Sequence, residues 1–200
     1  MFAASTSIPT NMPLRPLILI TRPNDTIVGL YKTIAGRSTG GSNGTYPNNE
    51  ETPLQAIDGL LSTKYVNLGR YNSPGFYESV IGIGTGFYVV PKISNSSVAI
   101  ALRFATSDHS PSNDPTEVTL EGTNEIETKG LNLGSNWRLI YRGTSGMGLT
   151  SFDVRSTYMP PVHFPNTIAF RSYRLLVSKV NMPGVNNAVQ YAEAQILGYI

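Results

Sequence analysis

The stretch LQAIDGLLSTKYVNLG, residues 54–69, holds the residue types best suited to chemistry: a carboxylate, Asp58, on a turn glycine, and a hydroxyl, Thr63, five positions later. A hard cation such as calcium takes about six to eight oxygens, many of them backbone carbonyls, with modest formal charge. Asp58 would give its carboxylate, and Thr63 both carbonyl and hydroxyl, its β-branch limiting the rotamers it must give up. The same residues also write an Asx-turn, in which Asp58 bonds its own backbone and caps the bend at Gly59. The local sequence supports either reading.

Other chemistry finds little footing. GIGTGF (82–87) has its third glycine misplaced for a dinucleotide fingerprint and no helical pattern behind it, so it reads as a loop. GTSGMG (143–148) has Met147 where a nucleophile elbow needs its second glycine, and reads as a hairpin turn. Two histidines, His109 and His163, are too few for a three-histidine metal site and are expected on loops or the surface. With no cysteine there is no disulfide, thiolate catalysis or zinc–thiolate site, and no acidic pair is spaced suggestively for glycoside hydrolysis. The expectation is a protein that is not an enzyme.

Composition narrows the partners. Charged residues are 14% of the 200, about half the usual share, and Ser, Thr, Asn and Gly supply the polar surface instead. A net charge of +2 without a basic cluster offers no footprint for nucleic acid or an anionic membrane. No apolar run approaches the ~18 residues of a membrane span, so no membrane insertion is expected. The opening MFAASTSIPTNMP lacks a basic n-region, and no secretory signal is read there.

The elements that must position these residues are strands. Period-two alternation marks 26–33, 86–91, 97–105, 116–122, 136–143, 172–180 and 189–200, separated by the turns RPND, GGSNG, PSNDP, TSGMG and MPGVNN. In 97–105, Val98, Ile100, Leu102 and Phe104 are expected on one face with Arg103 on the other. Trp137, alternating with Leu139, is expected in the core. A short helix is expected within ETPLQAIDG, between Glu51 and Gly59. Many short strands without βαβ alternation mean an all-β antiparallel sandwich or jelly roll.

AIDGLLSTKYVNLG resembles the signature of the galactose-binding-like domains, which include the discoidin and coagulation-factor type C domains: alanine, any residue, Asp-Gly, a short gap, then Thr, any residue, aromatic. VAIALRFATSDHSPSNDPTEVTLEGTNE (98–125), NWRLIYRG and SYRLLVSKV…QYAEAQILGY resemble that family's later strands in order and spacing. The resemblance covers roughly residues 17–200 and implies an eight-stranded jelly roll, preceded by an extended arm at 1–16. It also implies a structural calcium ion (Ca2+) between the Asp-Gly loop and an Ala-Glu pair on the final strand. Carried over, the ligands are the side chains of Asp58, Thr63 and Glu193 and carbonyls of Gln55, Leu60, Thr63 and Ala192. Leu60 stands where Asn or Asp is usual, and Tyr65 replaces the common tryptophan.

The resemblance favours an extracellular carbohydrate-binding or adhesion module, whose partner is a carbohydrate or cell-surface glycan. Such a site combines aromatic faces with planar hydrogen-bonding groups. The candidates are Tyr71, Phe76 and Tyr77 in 70–79, Asp108 and His109 in 107–115, and Arg142. Phe76 and Tyr77 also fit a core position at a strand entry, and Asp114-Pro115 a shaped turn. Sequons at Asn24, Asn43 and Asn95 permit N-glycosylation. The alternative is a self-assembling fibre subunit: an arm, 1–16, that adds to a neighbouring copy would give a homo-oligomer or filament.

Overall fold

The computed structural model describes residues 16–40, 44–69, 82–148, 154–181 and 188–200. Among these the strands are β1 (Ile18–Leu19), β2 (Thr26–Leu30), β3 (Tyr65–Asn67), β4 (Gly86–Val90), β5 (Val98–Ala105) and β6 (Pro115–Thr123). They continue with β7 (Arg138–Thr144), β8 (Val162–His163), β9 (Ser172–Val180), β10 (Val189–Tyr191) and β11 (Glu193–Tyr199). All pair antiparallel, in the orders β1-β11-β5-β8, β2-β4-β9-β6-β7 and β10-β3. The expected all-β antiparallel jelly roll is therefore the fold. The arm expected at 1–16 lies outside the described residues except for Pro16. No helix among the described residues is long and apolar enough to cross a membrane.

Alternation explains the core. Phe87, Leu175 and Leu120 stand opposite one another on β4, β9 and β6, and all are fully buried. Their cluster also takes in Leu102 and Phe104 of β5 and Ala194 and Ile196 of β11, so it fills the space between the two large sheets. Each such large side chain contributes about 1.5–3 kcal/mol on burial. The next residues along, Tyr88, Arg174 and Glu121, turn to the opposite face of the sheet.

That outer face is covered too. Leu30, Tyr88, Leu131, Trp137 and Leu176 form a second buried cluster beneath α1 (Thr128–Leu131) and its neighbouring turns. Trp137 is buried as expected, but in this outer layer, and Leu139 is exposed. The reason is local: Trp137 closes the 3-10 turn Gly134–Asn136, and its Nε1 donates to Leu131 O at 2.9 Å, which ties it to α1.

Two further expectations are corrected. In β5 the core residues are Ala99, Leu102 and Phe104, whereas Val98 and Ile100 are only half-buried. Opposite Ala101 and Ala99 stand the consecutive residues Leu197 and Gly198, so Ile100 is the extra residue of a bulge and the alternation changes phase there. The helix expected within ETPLQAIDG is a single 3-10 turn, Pro53–Ala56. The Gln55 side chain is spent on capping it, its Oε1 accepting from the Thr52 N–H at 2.9 Å and the Thr52 hydroxyl at 2.8 Å.

The segment 189–200 is two strands, and the break positions the site. β10 pairs with β3, Tyr191 opposite Tyr65, while β11 pairs with β5, Glu193 opposite Ala105. The chain changes sheets at Ala192, whose N–H bonds Ala105 O at 2.9 Å. Because β3 directly follows the 58–64 loop, this corner sets Glu193 against Gly59.

Candidate functional site

Asp58 organises its own loop. Its Oδ1 accepts the Leu60 N–H at 2.8 Å, an Asx-turn, and its Oδ2 accepts the Thr63 hydroxyl at 2.7 Å. Leu60 O accepts from Thr63 as well, from the N–H at 3.3 Å and with Oγ1 3.0 Å away. Gly59, between them, has φ +84°, a left-handed conformation that an L side chain rarely adopts. The Asx-turn is thus present, and it leaves the carboxylate beside the hydroxyl and carbonyl that a cation would need.

Glu193 meets this loop from the start of β11. Its Oε1 accepts the Gly59 N–H at 2.7 Å; its Oε2 is buried with no hydrogen-bond partner. Burial pushes its carboxyl up to about 8, and the Asp58 carboxylate adds to the rise against the opposing Gly59 hydrogen bond. Two carboxylates approach here with no lysine or arginine in an ion pair with either among the described residues. A buried oxygen without a partner, facing a second carboxylate, is what a bound cation or a shared proton would relieve.

The side-chain oxygens gathered here are of the kind that calcium takes. No group of three or more His, Cys, Asp or Glu that could hold a metal ion occurs among the described residues, so the site has two acidic groups with hydroxyl and carbonyl oxygens. That is oxygen-only, low-charge chemistry, suited to a hard cation. Asp58 and Glu193 would balance its charge; Thr63 and the carbonyls of Gln55, Leu60 and Ala192 are the further candidates.

Beside this joint lies a more exposed polar group. Asp108 Oδ1 is 2.8 Å from His109 Nδ1 and 2.9 Å from Lys64 Nζ, and Glu51 is 3.7 Å from the same lysine. Partial burial of Asp108 acts to raise its carboxyl, but hydrogen bonds from Lys64 and His109 outweigh it and hold the group below the usual range. Lys64 adjoins Thr63, so this cluster and the Asp58 loop share one short segment of chain.

Beneath the 107–114 loop is a support that the sequence did not reveal. Arg155 reaches both oxygens of the buried Asp114, at 2.5 and 2.8 Å, and donates to Ser107 O at 3.0 Å and His109 O at 3.1 Å. Gln190 donates to Ser107 Oγ at 2.8 Å and also to His109 O. Asp114 is therefore fixed in an ion pair, and His109 is held by its backbone with its ring outward. No motif marks Arg155 or Gln190; only their separation in the fold gives them this role.

The remaining candidates divide. Arg142 stands opposite Thr119 on the edge strand β7, four residues into β6 and about 13 Å along the strand from Pro115. It is set apart from Asp108 and His109, which precede that strand. Tyr71, Phe76, Tyr77 and Asn43 lie outside the described residues; Asn24, Asn95 and His163 are exposed. Ser145, in GTSGMG, is fully buried and bonded to Pro115 O, and Met147 is core, so the segment is a packed turn.

Solved structures share this fold. CpGH89CBM32-5 from Clostridium perfringens, in complex with GalNAc-β-1,3-galactose, is 14% identical, with a TM-score of 0.55 over 90% of this chain and 99% of its own. The family 32 carbohydrate-binding module of NanJ from C. perfringens, in complex with galactose, is 11% identical, with a TM-score of 0.55 over 91% and 99%. The CBM62 of Xyl5A from Clostridium thermocellum is 18% identical, with a TM-score of 0.51 over 87% and 94%. No protein-family model and no curated protein matches the chain. The chain shares the jelly-roll fold of these carbohydrate-binding modules.

Proposed function

We propose that this chain is a non-catalytic, extracellular carbohydrate-binding module. Galactose and GalNAc-β-1,3-galactose, the ligands named for two structural relatives, are the first sugars to test. The observation that carries the reading is the Asp108–His109 pair, presented outward on a loop anchored from below by Arg155 and Gln190. Planar hydrogen-bonding groups on a rigid loop suit the hydroxyl pairs of a pyranose, and Tyr71, Phe76 or Tyr77 would supply its stacking face. A calcium ion held by Asp58, Thr63 and Glu193 would clamp the adjoining 54–65 loop to β11. Its role would be structural.

A glycan array, followed by calorimetry on the best ligand, tests this. His109→Ala and Asp108→Ala are expected to weaken binding about tenfold each, a loss typical of one charge-assisted hydrogen bond. Absence of binding to any glycan would overturn the reading.

A second reading, assembly through residues 1–16, has one supporting observation. The edge strand β1, which follows residues 1–16, is only two residues long and pairs with Leu197 and Gly198 of β11, the contact continuing through the Ile20 N–H to Ile196 O at 2.8 Å. Light scattering of the chain with and without residues 1–16 tests it: an unchanged monomer in both would exclude a filament.

A further inference from the structure

An open cleft of about 420 Å3 lies between the ends of β4 and β6 and the starts of β5 and β9. It is lined by Lys92, Arg171, Ser94, Asn95, Ile126 and Pro91. Ser94 and Asn95 precede β5, whereas Glu193 stands opposite Ala105 at its far end. Eight strand residues, about 25 Å, therefore separate this cleft from the Asp58–Glu193 joint and the neighbouring Asp108–His109 pair.

The cleft is cationic by construction. Both Lys92 and Arg171 are exposed, and among the described residues no ion pair or side-chain hydrogen bond occupies either. No acidic residue lines the cleft. Of the acids nearby, Glu125 packs its carboxylate against Gly130 of α1. Buried Asp25 spends its two oxygens on the N–H groups of Arg22 at 2.8 Å and Lys92 at 2.9 Å. That second bond fixes the backbone that carries the Lys92 side chain. The Arg171 N–H is likewise bonded to Thr123 O at 3.0 Å, and its neighbour Phe170 pairs with Ser97.

We propose that this cleft binds a carboxylate-bearing sugar residue, a hexuronate or a sialic acid, as a second glycan site. The guanidinium of Arg171 matches a carboxylate through two parallel N–H···O bonds, and Lys92 adds a point charge. Asn95 can both donate to and accept from sugar hydroxyls; Ser94 Oγ donates to Ser96 O, and its lone pairs stay open to a hydroxyl. Ile126 and Pro91 form the apolar wall against which a pyranose C–H face packs. The choice of a sugar as the anion's carrier rests on the carbohydrate-binding reading above, but no residue is shared with the site proposed there. A glycan attached to Asn95 would fill the cleft, so modification of that sequon and binding exclude each other.

The test is amide NMR on the full chain at low ionic strength, titrated separately with digalacturonate, 3′-sialyllactose, lactose and sodium sulfate. Digalacturonate, sialyllactose or both are expected to move the amides of Lys92, Ser94, Asn95, Ile126 and Arg171, and the two arms tell which acid is preferred. Lactose should leave these amides in place. Arg171→Gln and Lys92→Gln are each expected to weaken the response about tenfold, and His109→Ala to leave it unchanged. The inference is overturned if neither acid moves these amides, if sulfate alone moves them with equal affinity, or if the charge-removing variants respond like the parent. A galactoside that moves the 107–114 amides while both acids leave this cleft unmoved would sink the inference and leave the first glycan site standing.

Discussion

The backbone N–H of Gly59 donates to Glu193 Oε1 at 2.7 Å across 134 positions of sequence. The bond ties the Asp58 turn to the final strand and brings together two carboxylates with no basic partner among the described residues, one of them with a buried oxygen unmatched. Calcium, if bound there, would stabilise only the folded form. At a hundredfold excess over its dissociation constant, linkage gives about 2.7 kcal/mol, or roughly 5–10 °C in Tm for a domain of this size. Calorimetry in EDTA and then in calcium measures it. Glu193→Gln keeps the acceptor for Gly59 but removes a charge, so the calcium-dependent gain is expected to vanish. In EDTA at pH 8 the same variant should be at least as stable as the parent.

The pH dependence follows from the same carboxyl. Its folded pKa of about 8 lies above the ordinary 4.5, so between those values the folded chain binds a proton that the unfolded chain does not. The metal-free protein therefore has this contribution in full below about pH 4.5 and loses it as pH rises to about 8. Urea denaturation in EDTA between pH 5 and 8.5 should show stability falling through that range relative to Glu193→Gln. With calcium the trend turns over, because the ion competes with that proton and binds more tightly as pH rises. Parallel curves for parent and variant in EDTA would contradict the raised carboxyl.

Arg155 is expected to matter for both stability and binding. Removing it by Arg155→Ala takes the guanidinium from the buried Asp114 carboxylate and leaves the Ser107 carbonyl to the Ser156 N–H and the His109 carbonyl with its Gln190 bond. Arg155 is about one-fifth exposed, so the cost is set below that of a fully buried pair, at roughly 2–3 kcal/mol. Chemical denaturation measures it. The paired variant Arg155→Met, Asp114→Asn should recover part of the stability, yet still bind glycan more weakly than the parent, because the His109 carbonyl loses one of its anchors and keeps Gln190.

Much of this was legible in the sequence, and the failures have physical causes. Asp58, Thr63 and Glu193 stand in short motifs, and the long strands show their alternation, so the fold and the carboxylate joint could be anticipated. Strands of two or three residues, β1, β3 and β8, are too short to show a period. Ile100 misled because a bulge is invisible without its partner strand. Trp137 misled because the five-stranded sheet is buried on both faces, where alternation tells burial but not side. Arg155, Gln190 and Arg171 act with residues tens of positions away, and no local pattern announces such partners.

The outer face of that sheet holds the last prediction. Arg174 and Glu121 are both fully buried, joined at 2.7 Å, and the guanidinium lies 4.7 Å from the Trp137 ring centroid. Glu121 also takes the Gly36 N–H at 2.6 Å and Arg174 donates to Arg37 O at 3.0 Å, so the pair pins the 36–38 segment over the second cluster. Arg174→Met strands the Glu121 charge in a dry layer and is expected to cost about 3–5 kcal/mol. Adding Glu121→Gln removes that charge while keeping an acceptor for Gly36, and should return most of the loss. Trp137 is the only tryptophan in the chain, so its fluorescence reports this layer alone. A red shift in Arg174→Met without loss of the sheet signal in circular dichroism would show the outer layer opening before the sandwich. An unshifted spectrum with unchanged stability would mean that the pair does not hold the layer.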